Sequence, residues 1–179
     1  MKKILLGLLL LSSALSFGAT QRISLEKLET NESKDILYLA GTKTPYSGEA
    51  EIRYPSGQLL SVATFKNGKI NGKAYEYYES GQLKLEENYI NGKLNGLSKS
   101  YYENGQLQDE IPYKNDKKEG IEKSYDEKGK LIGTITFENN QIMEEVTYKD
   151  GKIIDRKAYP LGKDLENELL KNITPWQFH

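Results

Sequence analysis

The stretch YYESGQLKLEENYINGKLNG, residues 77–96, decides the fold, because a related stretch follows it at a fixed distance. Residues 101–120 read YYENGQLQDEIPYKNDKKEG, 24 residues further along the chain. Working outward from this pair, the comparison extends to five copies: 48–71, 72–95, 96–119, 120–143 and 144–159, the last one shortened by two residues at its start. A fixed period of this kind indicates a repeat protein in which each copy is one supersecondary unit.

Each full copy holds three residue types at fixed positions: a glycine nine residues in, a leucine two residues later and an aromatic six residues beyond the leucine. These structural repeat residues are Gly57, Gly81, Gly105 and Gly129, then Leu59, Leu83, Leu107 and Leu131, and then Phe65, Tyr89, Tyr113 and Phe137. Because so many positions agree, the repeat must reflect one local structure that recurs along the chain.

That local structure is predicted to be a β-hairpin. In the second copy, Lys73–Tyr78 is β-prone, the turn falls at Gly81, and the return strand carries apolar residues at alternate positions. We therefore expect the leucine and the aromatic of each return strand to point to one core face. The next turn is Asn91-Gly92, a pair that tolerates the positive φ angles of a type I′ turn. Copies three and four replace this glycine with Asp116 and Asn140, which predicts looser hairpins there.

A single hairpin is not stable in water, whereas a stack of hairpins is. The sequence thus predicts an all-β fold, an elongated antiparallel array of tandem β-hairpins, with caps at both ends. Residues 35–47 are expected to form an N-terminal capping strand and turn, and residues 20–34 to be flexible or lightly docked. In residues 160–179, Leu161, Leu165 and Leu169 follow a helical period, so we predict a short amphipathic capping helix there.

The two quoted stretches resemble the bacterial variant of the MORN repeat family (membrane occupation and recognition nexus). The resemblance covers roughly residues 46–159. It implies protein–protein contacts and, in eukaryotic relatives, association with membranes or phospholipids. Some bacterial relatives carry an antitoxin label, but an exported chain departs from that role, since a classical antitoxin meets its toxin in the cytoplasm.

The N-terminus predicts export. A positive start (Met1-Lys2-Lys3), an apolar run (Ile4–Leu11) and a stretch rich in small residues (Ser12–Ala19) are typical of a secretory signal peptide over residues 1–19. A membrane anchor is the alternative interpretation of this run. Removing it takes away two lysines and no acids, which leaves 23 basic against 26 acidic residues and a net charge of −3. A net negative charge does not favour binding to nucleic acid. We expect a bacterial periplasmic, outer-surface or extracellular protein.

The residue types present argue against an enzyme. There is no cysteine, and the one histidine is His179, so cysteine nucleophiles, histidine-based triads and zinc sites with these ligands are excluded. Carboxylates such as Glu79 and Glu103 recur with the period and are therefore interpreted as solvated surface. We predict no catalytic residue, no metal site and no cofactor.

The tyrosines are the one constellation with functional promise. Adjacent residues of a strand point to opposite faces, so the doublets Tyr77-Tyr78 and Tyr101-Tyr102 should place one ring on each face. The candidate binding surface is Tyr75, Tyr77, Tyr101 and Tyr125. A protein partner is the leading hypothesis, with glycan or cell-wall binding and membrane-surface binding as alternatives. The competing interpretation is that these rings merely shield a sheet face. Self-association through open sheet edges is left open.

Overall fold

The computed structural model describes residues 22–30 and 36–159. The predicted signal peptide (1–19) and the predicted C-terminal capping helix (160–179) lie outside the described residues. Within the described ranges the chain is nearly all β, with a single 3-10 turn at Leu25–Lys27 and no α-helix. Those ranges accordingly contain no helix with the length and apolar character to cross a membrane.

The described residues contain fifteen strands. They are β1 (Ile23–Ser24), β2 (Leu28–Thr30), β3 (Leu37–Leu39), β4 (Gly48–Arg53), β5 (Leu59–Lys66), β6 (Lys69–Tyr77), β7 (Leu83–Ile90), β8 (Lys93–Leu94), β9 (Gly96–Tyr101), β10 (Leu107–Lys114), β11 (Lys117–Lys118), β12 (Gly120–Tyr125), β13 (Leu131–Glu138), β14 (Gln141–Lys149) and β15 (Lys152–Ala158).

Thirteen of these strands form one sheet whose order follows the chain from β4 to β15. The short strands β8 and β11 pair with β7 and β10 and lead directly into β9 and β12. The path through the sheet has eleven strands, so at about 4.8 Å per step it extends about 48 Å across its strands. The tandem hairpins predicted from the repeat are thus present as one continuous single-layer sheet.

One edge of this sheet departs from the predicted antiparallel pattern. β1 pairs with β4 in parallel, with Ile23 opposite Ala50 and Ser24 opposite Glu51. The backbone groups on the outer edge of β4 would otherwise lack partners, and the intervening chain is long enough for a parallel return. The described part of the segment predicted to be flexible or lightly docked, residues 22–30, therefore holds β1, the 3-10 turn and β2.

The described part of the predicted N-terminal cap, residues 36–47, lies against the first Asn-Gly turn. β3 pairs with β2 to form a separate two-stranded sheet. The backbone N–H of Leu37 donates to the carbonyl of Gly68 at 2.9 Å, and the N–H of Gly68 donates to the carbonyl of Tyr46 at 2.7 Å. These bonds fix the two-stranded sheet to the start of the repeat array.

Within each of the four full repeats, the glycine that opens the copy lies directly opposite the repeated aromatic. The cross-strand pairs are Gly48 with Phe65, Gly72 with Tyr89, Gly96 with Tyr113 and Gly120 with Phe137. A glycine has no side chain, so the partner's ring can lie over the bare backbone and cover it. Phe65 and Phe137 are consequently among the few buried apolar side chains of the described residues.

The prediction that leucine and aromatic share one face is wrong, and a β-bulge is the reason. In the second copy Glu76 is opposite Leu85 whereas Tyr77 is opposite Leu83, so Lys84 is an extra residue in the return strand. An extra residue reverses the facing of everything beyond it. The same shift occurs in copies one, three and four. The repeated leucines therefore lie on the face opposite to the aromatics.

The Asn-Gly turns keep one backbone geometry even where glycine is replaced. Asn91 and Gly92 have φ angles of 52° and 81°, and Asn115 and Asp116 have 52° and 68°. The Asp116 carboxylate accepts the backbone N–H of Leu94 at 2.7 Å, a bond to the preceding repeat that glycine cannot make. Asn140 accepts the N–H of Lys118 in the same way. The fifth hairpin, β14–β15, turns at Asp150-Gly151 with the same pair of positive φ angles.

At the strand ends opposite to the Asn-Gly turns, a tyrosine hydroxyl joins each copy to the next. The hydroxyl of Tyr54 donates to the carbonyl of Tyr77 at 2.9 Å. Tyr78 donates in the same way to Tyr101 at 2.8 Å, and Tyr102 to Tyr125 at 2.9 Å. We call these three bonds the tyrosine clasps. In copy four the equivalent residue is Asp126, whose carboxylate caps its own turn by accepting the N–H of Lys130.

The clasp predicts different roles for the two tyrosines of a doublet. Replacing Tyr78 by phenylalanine removes the bond to Tyr101 and should lower the free energy of unfolding by about 1 kcal/mol. Replacing Tyr77 by phenylalanine removes a hydroxyl without a hydrogen-bond partner in the described residues, so the change should stay within about 0.5 kcal/mol. Urea denaturation of both variants checks this, and equal losses would contradict the clasp.

The two Asn-Gly turns predict a second contrast. A Cβ on Gly68 would lie 2.6 Å from the backbone oxygen of Leu37, whereas a Cβ on Gly92 meets nothing closer than 3.7 Å. Asparagine tolerates positive φ, so Gly92→Asn should change the free energy of unfolding by less than about 1 kcal/mol, while Gly68→Asn should cost about 3 kcal/mol. Thermal denaturation of the two variants measures the difference, which would vanish if the N-terminal cap were not seated on this turn.

Candidate functional site

The strand register places all four candidate tyrosines on one face of the sheet, which we call the tyrosine face. Directly opposed residues of antiparallel strands share a face. A line of such pairs runs from Tyr75 to Glu86, Lys99, Glu110 and Lys123. Tyr77, Tyr101 and Tyr125 each lie two residues beyond a member of this line, and residues two apart in a strand point the same way.

Tyr77, Tyr101 and Tyr125 form a row along the end of their strands, and leucines separate them. Leu83 is opposite Tyr77, Leu107 is opposite Tyr101 and Leu131 is opposite Tyr125. Two interstrand steps separate consecutive tyrosines, which sets them about 9.6 Å apart. The row is therefore an alternation of tyrosine and leucine. Arg53 takes the equivalent position in copy one.

The tyrosines of this row are half-buried, and their hydroxyl groups have no hydrogen-bond partner among the described residues. Their backbone carbonyls, by contrast, accept the tyrosine clasps. Tyr75 lies beside Tyr77, with ring centroids 6.5 Å apart, and the ammonium of Lys73 is 6.0 Å from its ring centre. The row thus presents apolar rings with polar tips, a combination well suited to binding.

Charged side chains form a second row beside the tyrosines. The carboxylate of Glu110 lies between two lysines, 3.8 Å from Lys99 and 3.6 Å from Lys123. Glu86 forms an ion pair with Lys73, and this hydrogen bond raises the pKa of the lysine above its usual value. Positive and negative groups therefore alternate from strand to strand across the tyrosine face.

A third row adds exposed apolar groups. Leu97 lies opposite Pro112, and Ile121 follows on β12, with 44% of the leucine and 51% of the isoleucine exposed. Exposed apolar side chains that line up on one face are more informative than scattered ones. The tyrosine face therefore combines rings, ion pairs and aliphatic groups over three repeats.

The opposite face uses its polar groups internally. The carboxylate of Asp109 accepts the hydroxyls of Ser100 at 2.9 Å and Ser124 at 2.7 Å. The hydroxyl of Tyr89 donates to Glu87, and burial followed by this bond raises the pKa of the tyrosine well above its usual value. These polar groups of the opposite face are thus hydrogen-bonded to one another, and the same face carries the glycine-aromatic pairs.

A separate open cavity of about 650 Å³ lies between the two-stranded sheet and the first two Asn-Gly turns. Its apolar lining includes Leu25, Leu37, Phe65 and Ile70. None of the four candidate tyrosines lines it. In residues 22–30 and 36–159 there is also no cluster of three or more acidic or histidine side chains placed to hold a metal ion.

Sequence reasoning missed most of the neighbours of the tyrosines. It assigned the leucines to the opposite face, because the bulge carries no residue signature of its own. It also passed over Lys99, Glu110 and Lys123, although their spacing follows the strand pairing that the repeat implies. Aligning the predicted strands in antiparallel register would have placed these three side chains on one line.

Comparison with known proteins identifies the repeat. A family model described as a MORN repeat variant matches residues 46–67, 70–91, 94–115 and 118–139. These matches cover the first four copies, each beginning two residues before the opening glycine. No curated protein matches the chain.

The charged row predicts a small, salt-sensitive contribution to stability. Replacing Glu110 by glutamine leaves Lys99 and Lys123 without their shared carboxylate, which should cost less than about 1 kcal/mol in dilute buffer because the lysines are partly exposed. In 1 M salt the loss should shrink, since ion pairs at a surface are screened. Glu103→Gln, at an exposed turn, is the control. A salt-independent loss of several kcal/mol would show that Glu110 is structural and not part of an open surface.

Proposed function

The chain belongs to the MORN repeat variant family, and from that premise we propose that it is an exported interaction module whose tyrosine face binds a partner protein. Repeats of this family are generally modules for protein or membrane interaction. The chain also begins with a stretch typical of a secretory signal peptide. The partner is therefore expected outside the cytoplasm.

The observation that carries the proposal is that the two tyrosines of each doublet make different contacts. Tyr78 and Tyr102 make the clasps that hold consecutive repeats together. Tyr77, Tyr101 and Tyr125 make no such bond in the described part of the chain and are held in a row on one face. Tyrosine buries a large area at low entropic cost, so a fixed row of half-buried rings is an efficient contact surface.

The chemistry of the described residues supports binding over catalysis. On the tyrosine face Glu86 and Glu110 are paired with lysines, and on the opposite face Asp109 and Glu87 accept hydrogen bonds from serine and tyrosine hydroxyls. Repeats of this family are typically non-catalytic. A surface that repeats every two strands also suits an elongated partner better than a single small substrate.

Site-specific photo-crosslinking tests the proposal. A photoreactive amino acid placed at Tyr101 or Tyr125 should yield a discrete protein adduct in the parent organism, and excess unlabelled chain should compete it away. The same group at Thr147, exposed on the opposite face, should give none. Alanine at Tyr77, Tyr101 and Tyr125 together should weaken binding of the captured partner by at least about tenfold.

Two results would overturn this function. Equal adducts from Tyr101 and Thr147 would mean that the tyrosine face is not selective. Retention of the chain on cell-wall glycan or on anionic vesicles, with no protein adduct from the tyrosine row, would assign it to one of the other two binding classes.

A further inference from the structure

The spacing of the tyrosine row points to one conformation for the partner. Tyr77, Tyr101 and Tyr125 occupy equivalent ends of β6, β9 and β12, so the row repeats every two interstrand steps, about 9.6 Å. A segment that lies along the row, across the strands, must present equivalent side chains at that interval to contact all three rings alike.

Three regular backbones can be compared with this interval. A polyproline II segment returns to the same face every three residues, or about 9.3 Å. An α-helix does so every seven residues, about 10.5 Å, and an extended strand every two residues, about 6.7 Å. Over the two intervals from Tyr77 to Tyr125 the polyproline segment accumulates less than about 1 Å of mismatch, against about 2 Å for the helix. The strand returns to the same face at about 6.7, 13.4 and 20.1 Å, so it could contact Tyr77 and Tyr125 but would present no equivalent side chain at Tyr101.

The groups in the row also suit that backbone. Polyproline II has no internal hydrogen bonds, so its carbonyl oxygens are available as acceptors. The tyrosine hydroxyls of the row can donate to them, since these hydroxyls have no hydrogen-bond partner in the described residues. Leu83 and Leu107 lie between the rings, so proline rings can pack against these leucine side chains. Aromatic-lined grooves are the usual recognition surface for such segments.

The neighbouring charges indicate the sign of the partner. Lys99 and Lys123 share the single carboxylate of Glu110, while Glu86 is already paired with Lys73. Within this group of three side chains on the tyrosine face, one positive charge is therefore in excess. Of the two residues between successive contact positions of a polyproline segment, one can face this row, and an acidic side chain there would complement the lysines.

We propose that the tyrosine face binds a proline-rich, acidic segment in polyproline II conformation, with a proline at every third residue lying along Tyr77, Tyr101 and Tyr125. This inference rests on the proposed function and specifies the partner of the same surface.

Fluorescence anisotropy with a defined peptide tests it. The probe is a labelled ten-residue peptide of sequence PEAPEAPEAP, titrated with the purified full chain. It should bind at least about tenfold more tightly than a peptide of the same composition whose prolines are not three residues apart. Replacing each glutamate by lysine should abolish binding at low salt.

Variants locate the contact. Tyr101→Ala should weaken peptide binding by about tenfold, and Tyr101→Phe, which keeps the ring, by about threefold. Lys99→Gln with Lys123→Gln should remove most of the salt dependence. Lys157→Ala, exposed on the opposite face, should leave the affinity unchanged. Circular dichroism checks that every variant is folded.

The outcomes separate the two proposals. Equal binding of the two proline arrangements, or binding that ignores Tyr101, overturns the polyproline inference. If the peptide does not bind but crosslinking at Tyr101 still captures a protein, the polyproline inference is wrong and the proposed function stands. If both experiments fail, both are wrong.

Discussion

A sheet of one layer has no second layer to cover it, so each side chain must be covered by its neighbours in adjacent strands. This constraint explains the composition of the repeat. The opening glycine leaves room for the aromatic ring opposite, as in Gly72 with Tyr89, and that ring shields the backbone. Because no second layer covers the sheet, few apolar side chains of the described residues are buried. The spacing of 24 residues follows from two strands, two turns and one bulge.

The same constraint shapes the site. Consecutive hairpins contact one another only through neighbouring strands, so hydrogen bonds at both ends of the strands keep the copies in register. The tyrosine clasps lie at one end, and backbone bonds of the Asn-Gly turns lie at the other, where the N–H of Gly92 donates to the carbonyl of Ile70. Once the second tyrosine of a doublet is committed to the clasp, the first is free to face outward. In the function that we propose, folding and binding use adjacent residues of one motif, and the strand spacing of the sheet sets the interval between the contacts with the partner.

Much of this fold could be predicted from the sequence. The period, the turns and the presence of two tyrosine populations all follow from residue identity. Glycine and asparagine indicate positions of positive φ, and neighbouring residues of a strand point to opposite faces. The MORN variant assignment also follows from the motif itself. Other features could not be predicted, because they depend on pairing between distant residues. The bulge at Lys84 moved the leucines to the tyrosine face, and the parallel pairing of Ile23 with Ala50 joins segments with no pattern in common. The ion pairs of Glu110 required the register, which only the assembled sheet defines.

The central claim is that the two tyrosines of each doublet have different states in the free protein, one bound into the sheet and one presented to a partner. Nuclear magnetic resonance of chain labelled at its tyrosine rings measures this directly through the exchange of the hydroxyl protons with water. The account predicts slow hydroxyl-proton exchange at Tyr78 and Tyr102, which donate to backbone carbonyls, and fast exchange at Tyr77 and Tyr101. Equal exchange rates for both members of a doublet would contradict it.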